Sequence, residues 1–299
     1  IILSVPNYND DSSPARLMKI DAKNRITEFY RLPVHPETGK VRPMGLDFGP
    51  DGHLYVADNQ YFASDKKAKS RLLRIVMSKG KPVRCETAVE GFKVANAVIW
   101  RGDEVFVSDT VMDEKPDPML SGIYRIKLSE CSRKPLQILP DAKDPHLVAK
   151  IWRQKEGGGF GADGLTFDKD GNLYCGNFHD GTIHKVTFDA KGKVTSNTIF
   201  AQHPKMTCCD GIFYDETDDV IYVADMICNG VQMVDMKGRV TTIARNGDTD
   251  GTGGLIDQPC EVIVRGRELI VVNMDWPFPG IVNTTFDKPY TLSVIQLDE

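Results

Sequence analysis

The chain repeats one short pattern six times, an apolar strand that runs into Asp or Asn. The copies end at Asn7, Asp58, Asp109, Asn177, Asp225 and Asn273. They recur roughly every 45 to 70 residues, a period typical of repeat architectures, and four-stranded blades around an axis have this spacing. The pattern therefore predicts an all-β fold, a six-bladed β-propeller, in which equivalent residues of successive repeats meet in one central funnel.

Each repeat also predicts its own strands. In the second, residues 44–48 and 54–58 flank Asp51-Gly52, and Asp-Gly between alternating apolar residues is a strong hairpin signal. The first repeat begins at its second strand, and the last has three strands, near 261–264, 268–272 and 290–296. We therefore expect roughly 15–25 upstream residues to complete the first blade, by analogy with the other repeats.

Composition limits the function classes. With 299 residues and 41% hydrophobic content the chain can build a full core, and large all-β folds of this length commonly form one domain, here residues 1–299. A net charge of −5 without a basic block disfavours nucleic acid. No apolar run approaches membrane-spanning length, which predicts a soluble protein without a membrane partner. The compartment, whether periplasmic, secreted or cytoplasmic, and the oligomeric state are left open.

Seven cysteines are present, an odd number without the spacing of a metal site. The first interpretation is that they are buried thiols. A disulfide between Cys85 and Cys131 in an oxidising compartment, or a vicinal one between Cys208 and Cys209, is the alternative.

The residue that opens the first strand of each visible repeat carries the candidate chemistry. These residues are Met44, Asn96, Asp163, Asp210 and Glu261. Four of the five offer oxygen atoms, the ligands that Ca²⁺ and other hard cations prefer. Carboxylates crowded at one axis repel each other unless a cation or protons intervene. The pattern predicts a metal site at Asn96, Asp163, Asp210 and Glu261, although such residues also begin strands simply to form turn hydrogen bonds.

Two segments add a resemblance to this pattern. Residues 95–100 (Ala-Asn-Ala-Val-Ile-Trp) and 161–168 (Gly-Ala-Asp-Gly-Leu-Thr-Phe-Asp) resemble the family of senescence marker protein, gluconolactonase and luciferin-regenerating enzyme. The two segments are also similar to diisopropyl-fluorophosphatase. The resemblance implies a six-bladed propeller with one catalytic divalent cation, usually Ca²⁺, although Zn²⁺, Mn²⁺ or Mg²⁺ is an alternative. It also implies ligands that comprise a Glu of the first blade, two Asn and an Asp.

The resemblance assigns roles to individual residues. Asn96 matches one family Asn and Asp163 the family Asp, whereas the other Asn position holds Met44. The family Glu would lie upstream of Ile1, so Asp210 and Glu261 are the candidates to replace the missing ligands. Arg42 stands where lactonase members place an arginine that contacts substrate.

Further candidates lie on loops. His179 follows the second strand of the fourth repeat and is a possible proton shuttle; the alternative is a loop histidine hydrogen-bonded to Asp180. Asn177 is a candidate substrate contact. Trp276 and Phe278, on a long loop, are candidates to line an apolar pocket for substrate.

These features predict a divalent-metal-dependent hydrolase of a lactone or related ester, acting on a small molecule. Asp163 is the expected ligand and nucleophile or base, and Asp210 is the next candidate for general base. The alternatives are a non-catalytic propeller that binds a protein or carbohydrate, and another propeller chemistry such as a lyase or redox reaction.

Overall fold

The computed structural model describes residues 1–8, 13–114, 118–132, 134–155, 159–276 and 280–298. Within these ranges the chain is almost entirely β, with 23 strands in six sheets. Each sheet corresponds to one sequence repeat. The predicted fold class, an all-β six-bladed β-propeller, is therefore confirmed.

The chain divides into two compact units, residues 1–150 and 151–299, and the prediction of one domain stays a prediction. The first unit holds sheets one to three. Sheet one is β1 (Ile2–Val5), β2 (Arg16–Ile20) and β3 (Ile26–Tyr30). Sheet two is β4 (Pro43–Phe48), β5 (Leu54–Asp58), β6 (Ser70–Ser78), β7 (Lys81–Phe92) and the short parallel edge strand β11 (Leu136–Gln137). Sheet three is β8 (Ala95–Arg101), β9 (Glu104–Asp113), β10 (Met119–Lys127) and β12 (Leu147–Arg153), whose last residues open the second unit.

The second unit holds sheets four to six. Sheet four is β13 (Ala162–Phe167), β14 (Leu173–Asn177), β15 (Thr182–Phe188) and β16 (Val194–Gln202). Sheet five is β17 (Ile212–Asp215), β18 (Val220–Asp225), β19 (Gly230–Asp235) and β20 (Val240–Arg245). Sheet six is β21 (Pro259–Arg265), β22 (Glu268–Asn273) and β23 (Leu292–Gln296), the three strands expected. Short 3-10 helices lie at Leu128–Glu130 and Thr252–Gly254.

The core lies between the faces of neighbouring sheets. Tyr55 of sheet two packs with Phe92, Val107 and Tyr124, all almost completely buried, and the rings of Phe92 and Tyr124 meet edge to face at 5.4 Å. In the second unit, Tyr174 of sheet four packs with the apolar face of sheet five in the same way. The second strands of sheets two, four and five are buried on both sides, which explains their continuous apolar runs in the sequence.

The repeated Asp or Asn at the end of the second strand has a structural role. Asp58 accepts a hydrogen bond from the backbone N–H of Arg42 at 2.8 Å. Asp109 accepts two, from Lys93 and Val94. The same bond recurs in sheets five and six, from Thr207 to Asp225 and from Asp257 to Asn273. In these four sheets the side chain therefore holds the entering chain against the end of the second strand, and we call this contact the clasp.

Three smaller points complete the fold. All seven cysteines are free thiols, as the first interpretation expects, and no bond joins Cys85 to Cys131 or Cys208 to Cys209. Phe278 lies outside the described residues. In the parts of the chain that the structure describes, we find no helix with the length and apolar character needed to span a membrane.

Candidate functional site

Three of the four candidate oxygen ligands lie in or beside a bulge in the first strand of a sheet. In β13 Ala162 pairs with Asn177 but Leu165 with Cys175, so one extra residue is inserted around Asp163. The same shift occurs around Met44 in β4 and Asn96 in β8, and next to Glu261 in β21. A bulge bends a strand and redirects a side chain, and bulges are common beside active sites. Asp210 differs, because it lies two residues before β17, which pairs with β18 without a bulge.

Glycines beside two of these positions let neighbouring first strands approach closely. Gly164 donates its N–H to the carbonyl of Asp210 at 3.2 Å, and Gly211 donates to that of Cys260 at 3.0 Å. A Cβ at Gly164 would lie 2.5 Å from the Asp210 carbonyl oxygen, and one at Gly211 would lie 2.2 Å from Glu261 Oε1. Only hydrogen fits at either place. The Asp-Gly pairs thus bring the side chains of Asp163, Asp210 and Glu261 together in the second unit.

These three side chains form what we call the carboxyl cluster. The carboxyl groups of Asp163 and Asp210 are hydrogen-bonded to each other. Burial raises the pKa of Asp163 well above its ordinary value, and the charge of Glu261 adds to this. Burial, the charges of the other two carboxylates and the bond to Asp163 raise the pKa of Asp210. The two carboxyl groups therefore titrate as one pair that shares a proton.

Glu261 is the most exposed member of the cluster, since Asp163 is buried and Asp210 is half-buried. The surrounding protein raises the pKa of Glu261, and water screens part of this effect. Its Oε1 accepts the backbone N–H of Val262 at 2.9 Å. Glu261 therefore lies at the solvent side of the acid pair, where its carboxylate would also interact with an ion that entered the cluster.

The carboxyl cluster has the chemistry of a hard-cation site but is not a finished cage. Within the described ranges, no group of three or more His, Cys, Asp and Glu side chains has the spacing to hold one metal ion. The fit rests instead on the acid pair, because a buried and a half-buried carboxyl group in contact require a proton or a cation between them. A divalent ion that displaced the proton would find oxygen donors of the kind that Ca²⁺ or Mg²⁺ prefers.

The predicted residues of the first unit form a different environment. The Arg42 guanidinium lies 4.7 Å from the centre of the Tyr8 ring and donates to the Asn7 carbonyl at 2.9 Å. The Tyr8 hydroxyl in turn contacts the Met44 sulfur at 3.3 Å. Asn96 Nδ2 donates to Thr110 Oγ1 at 3.2 Å. The predicted roles of Arg42 in substrate binding and of Asn96 in metal binding stay predictions.

The loop candidates are placed by their own contacts. Burial and the positive charges of Lys155 and Arg153 lower the pKa of His179, so its imidazole is neutral at pH 7. Its Nδ1 is buried without a hydrogen-bond partner in the part of the chain that the structure describes. The alternative bond to Asp180 is therefore not formed through Nδ1. The main chain of Trp276 is held on both sides by the side-chain amide of Gln258.

Comparison with known protein families identifies the chain's relatives. The family described as SMP-30/gluconolactonase/LRE-like region matches residues 11–209, more than half of the chain. The chain belongs to this family. The resemblance inferred from residues 95–100 and 161–168 is confirmed, and both segments lie inside the matched region.

Solved structures share the fold of this SMP-30/gluconolactonase/LRE-like chain at low identity. A putative gluconolactonase is 16% identical with a TM-score of 0.56, over 95% of this chain and 83% of its own. A luciferin-regenerating enzyme is 13% identical with a TM-score of 0.57, over 93% and 82%. A chain in the structure of a nidogen/laminin complex is 14% identical with a TM-score of 0.59, over 91% of this chain and 84% of its own. Among curated proteins, no significant match exists.

One residue of this family member escaped the sequence reasoning. Arg153 ends β12 and is only 5% exposed, yet its Nε and Nη1 have no hydrogen-bond partner within the described ranges. Nothing in the local sequence distinguishes it from the many surface arginines. Only its burial, which depends on the fold, marks it as a candidate.

Proposed function

We propose that this chain is a hydrolase that opens a lactone or cleaves a related ester at the carboxyl cluster. The observation that supports it is the hydrogen-bonded pair of Asp163 and Asp210, with Glu261 beside it. Family membership and the gluconolactonase fold neighbours favour a lactonase-type reaction. The substrate is accordingly a small molecule.

The acid pair supplies complementary groups for this reaction. In this proposal Asp163 is the unprotonated member of the pair and the general base that takes a proton from the attacking water. Asp210 is the protonated member and gives its proton to the departing ring or ester oxygen. Two carboxyl groups whose surroundings push their pKa values apart commonly divide the acid and base roles in this way.

We also propose a divalent cation as cofactor, Ca²⁺ or alternatively Zn²⁺, Mn²⁺ or Mg²⁺. Asp163, Asp210 and Glu261 are the residues that would hold it, and Asn96 remains a further predicted ligand. When bound, such an ion would polarise the carbonyl group under attack. With such an ion bound, Asp210 would be a ligand without its proton, Asp163 would remain the general base, and solvent would protonate the departing oxygen.

The test combines metal analysis with a lactone and aryl-ester assay of the purified chain, before and after chelation. Asp163→Asn should reduce kcat/KM by about 10² or more, because the general base is lost. Glu28→Gln is the matched control, since Glu28 pairs with Arg16 and Arg31 on the surface of sheet one. Full turnover by Asp163→Asn would reject the proposed role, and full turnover after thorough chelation would reject the cation.

A non-catalytic binding function is the second outcome of the same assay. The fold likeness to the nidogen/laminin complex shows only that such sheets also occur in a binding assembly. A chain without hydrolytic activity toward lactones and aryl esters would favour this alternative.

A further inference from the structure

Arg153 is a buried cation without a counter-ion in the described structure. A guanidinium group is charged at every physiological pH and carries five N–H donors. Arg153 is 5% exposed, and its Nε and Nη1 reach no acceptor within the described ranges. A buried charge of this kind is retained at a cost in stability. Such a cost is typical of groups kept for binding.

The acidic residue beside Arg153 is already engaged elsewhere. Asp180 Oδ2 accepts the backbone N–H of Gln154 at 2.6 Å and Asn177 Nδ2 at 3.1 Å. Its Oδ1 accepts the N–H of Lys155 at 2.9 Å. Asp180 therefore anchors the chain that follows Arg153, and no ion pair joins the two among the described residues.

Sheet four also departs from the clasp at this point. In sheets two, three, five and six the residue that ends the second strand accepts the entering N–H groups directly. In sheet four Asp180 takes over this task, and the Oδ1 of the fully buried Asn177 has no partner among the described residues. Among the described residues, Asn177 Oδ1 at the end of β14 in sheet four and Arg153 Nε and Nη1 at the end of β12 in sheet three are left without hydrogen-bond partners.

This end of sheet four is also where the carboxyl cluster begins. Ala162, the residue before Asp163, pairs with Asn177. The ladder continues beyond it, because Phe178 donates its N–H to Gly161 at 2.8 Å and His179 donates to Phe160 at 3.1 Å. Asn177 Nδ2 donates to the carbonyl of Trp152 at 3.1 Å, which places the end of β12, and with it Arg153, beside this ladder.

We propose that Arg153 is the centre of an oxyanion-binding subsite where β12 of sheet three ends beside β14 of sheet four. A carboxylate or phosphate oxygen pair would accept the Nε and Nη1 donors, the charge-assisted geometry in which arginine binds such groups most strongly. If the chain hydrolyses lactones or esters as proposed above, its substrate is then one that carries an anionic group. The anion binds at Arg153 and the reacting carbonyl lies toward Asp163.

The binding test uses acetate and inorganic phosphate as probes, with chloride at equal ionic strength as the reference and chelator present throughout. Calorimetry and thermal unfolding should show binding of at least one oxyanion to the wild-type chain. Binding of acetate would indicate that the anionic group of the substrate is a carboxylate, and binding of phosphate would indicate that it is a phosphate ester. Arg153→Met should weaken binding about tenfold or more, because charged hydrogen bonds are lost. Arg239→Met, an exposed arginine whose side chain is 76% accessible, should bind as the wild type does.

Stability provides a second readout. Without anions, Arg153→Met should unfold at the same or a higher temperature than the wild type, because an unpaired buried charge is removed. If that variant does not fold, Arg153→Lys keeps the charge but loses the fork of donors, and it should retain the fold and still lose affinity. Equal behaviour of wild type in chloride and in both oxyanions, or equal binding by the Arg153 variants, would overturn the subsite.

The outcome separates from that of the proposed function, because the binding test needs neither substrate nor turnover. In the hydrolysis assay, Arg153→Met should lower kcat/KM about tenfold for an anionic aryl ester and leave a neutral one unchanged. A wild-type chain that hydrolyses esters but binds no oxyanion would reject the subsite and leave the proposed reaction standing. A chain that binds an oxyanion but hydrolyses nothing would reject the proposed reaction and leave the subsite standing.

Discussion

The close approach of first strands predicts that one methyl group will disturb the carboxyl cluster. A Cβ at Gly211 would lie 2.2 Å from Glu261 Oε1, 2.5 Å from its Cδ and 2.8 Å from the Cys260 carbonyl oxygen. The carboxylate of Glu261 can swing away, but the Cys260 carbonyl belongs to a paired strand. We therefore expect Gly211→Ala to destabilise the chain by about 1–3 kcal/mol, the usual cost of an extra carbon in a packed site.

Two further glycines give this substitution a scale. At Gly164 the nearest atoms are backbone, the Asp210 carbonyl oxygen at 2.5 Å and the Ile212 nitrogen at 2.6 Å, so Gly164→Ala should cost at least as much. At Gly247 nothing lies within 4 Å and the backbone is not left-handed, so Gly247→Ala should change stability by less than about 1 kcal/mol. The predicted order of destabilisation is Gly164→Ala, then Gly211→Ala, then Gly247→Ala.

Urea unfolding followed by circular dichroism measures this order, since m should stay constant while the midpoint falls. Gly211→Ala should also weaken any binding of a divalent cation, because Glu261 is displaced. Equal midpoints for Gly211→Ala and Gly247→Ala would refute the claim that neighbouring first strands touch at this point.

Two other predictions follow from charge. The pKa of Asp210 is raised from an ordinary value of 3.8, so the cost of ionising it in the folded chain is absent at low pH and grows as pH rises above that value. The stability gained by Asp210→Asn over the wild type, measured by urea titration, should therefore be larger at pH 8 than at pH 5. An equal gain at the two pH values would contradict the raised pKa of this acid. Asp58 and Arg71 form a buried ion pair at 2.7 Å, so Asp58→Ala should cost about 3–5 kcal/mol by leaving Arg71 uncompensated. The exposed pair of Glu37 and Lys69 should lose less than about 1 kcal/mol on Glu37→Ala, and similar losses in the two variants would argue against the clasp.

Much of the fold could be predicted because repetition carries it. The alternation of apolar residues and the Asp-Gly turns predict six sheets, and residues such as Asp163 were found because each opens a repeat. The close contact of Asp163 with Asp210 has a visible sign as well, the glycine after each, although its reason appears only when the bulge and the neighbouring strand are seen. The repeat pattern did not indicate what the recurrent Asp or Asn does, which in four of the sheets is to form the clasp.

Other features depend on burial, which a single sequence does not display. Arg153 looks like any surface arginine until β12 ends in a buried position. The parallel strand β11 arises from a long excursion between β10 and β12 that has no repeat signature. The lowered pKa of His179 results from its burial and from the charges of Lys155 and Arg153, and no sequence spacing links these residues to it.

The central claim is that Asp163 and Asp210 titrate as one coupled pair. Carbon-13 NMR of the aspartate carboxyl carbons across pH, in wild type and in Asp163→Asn, measures this directly. We predict that the pKa of Asp210 lies well above 3.8 in the wild type and falls in the variant, because a neighbouring charge and its hydrogen bond are removed. An Asp210 titration that is ordinary in the wild type, or unchanged by the substitution, would contradict the account.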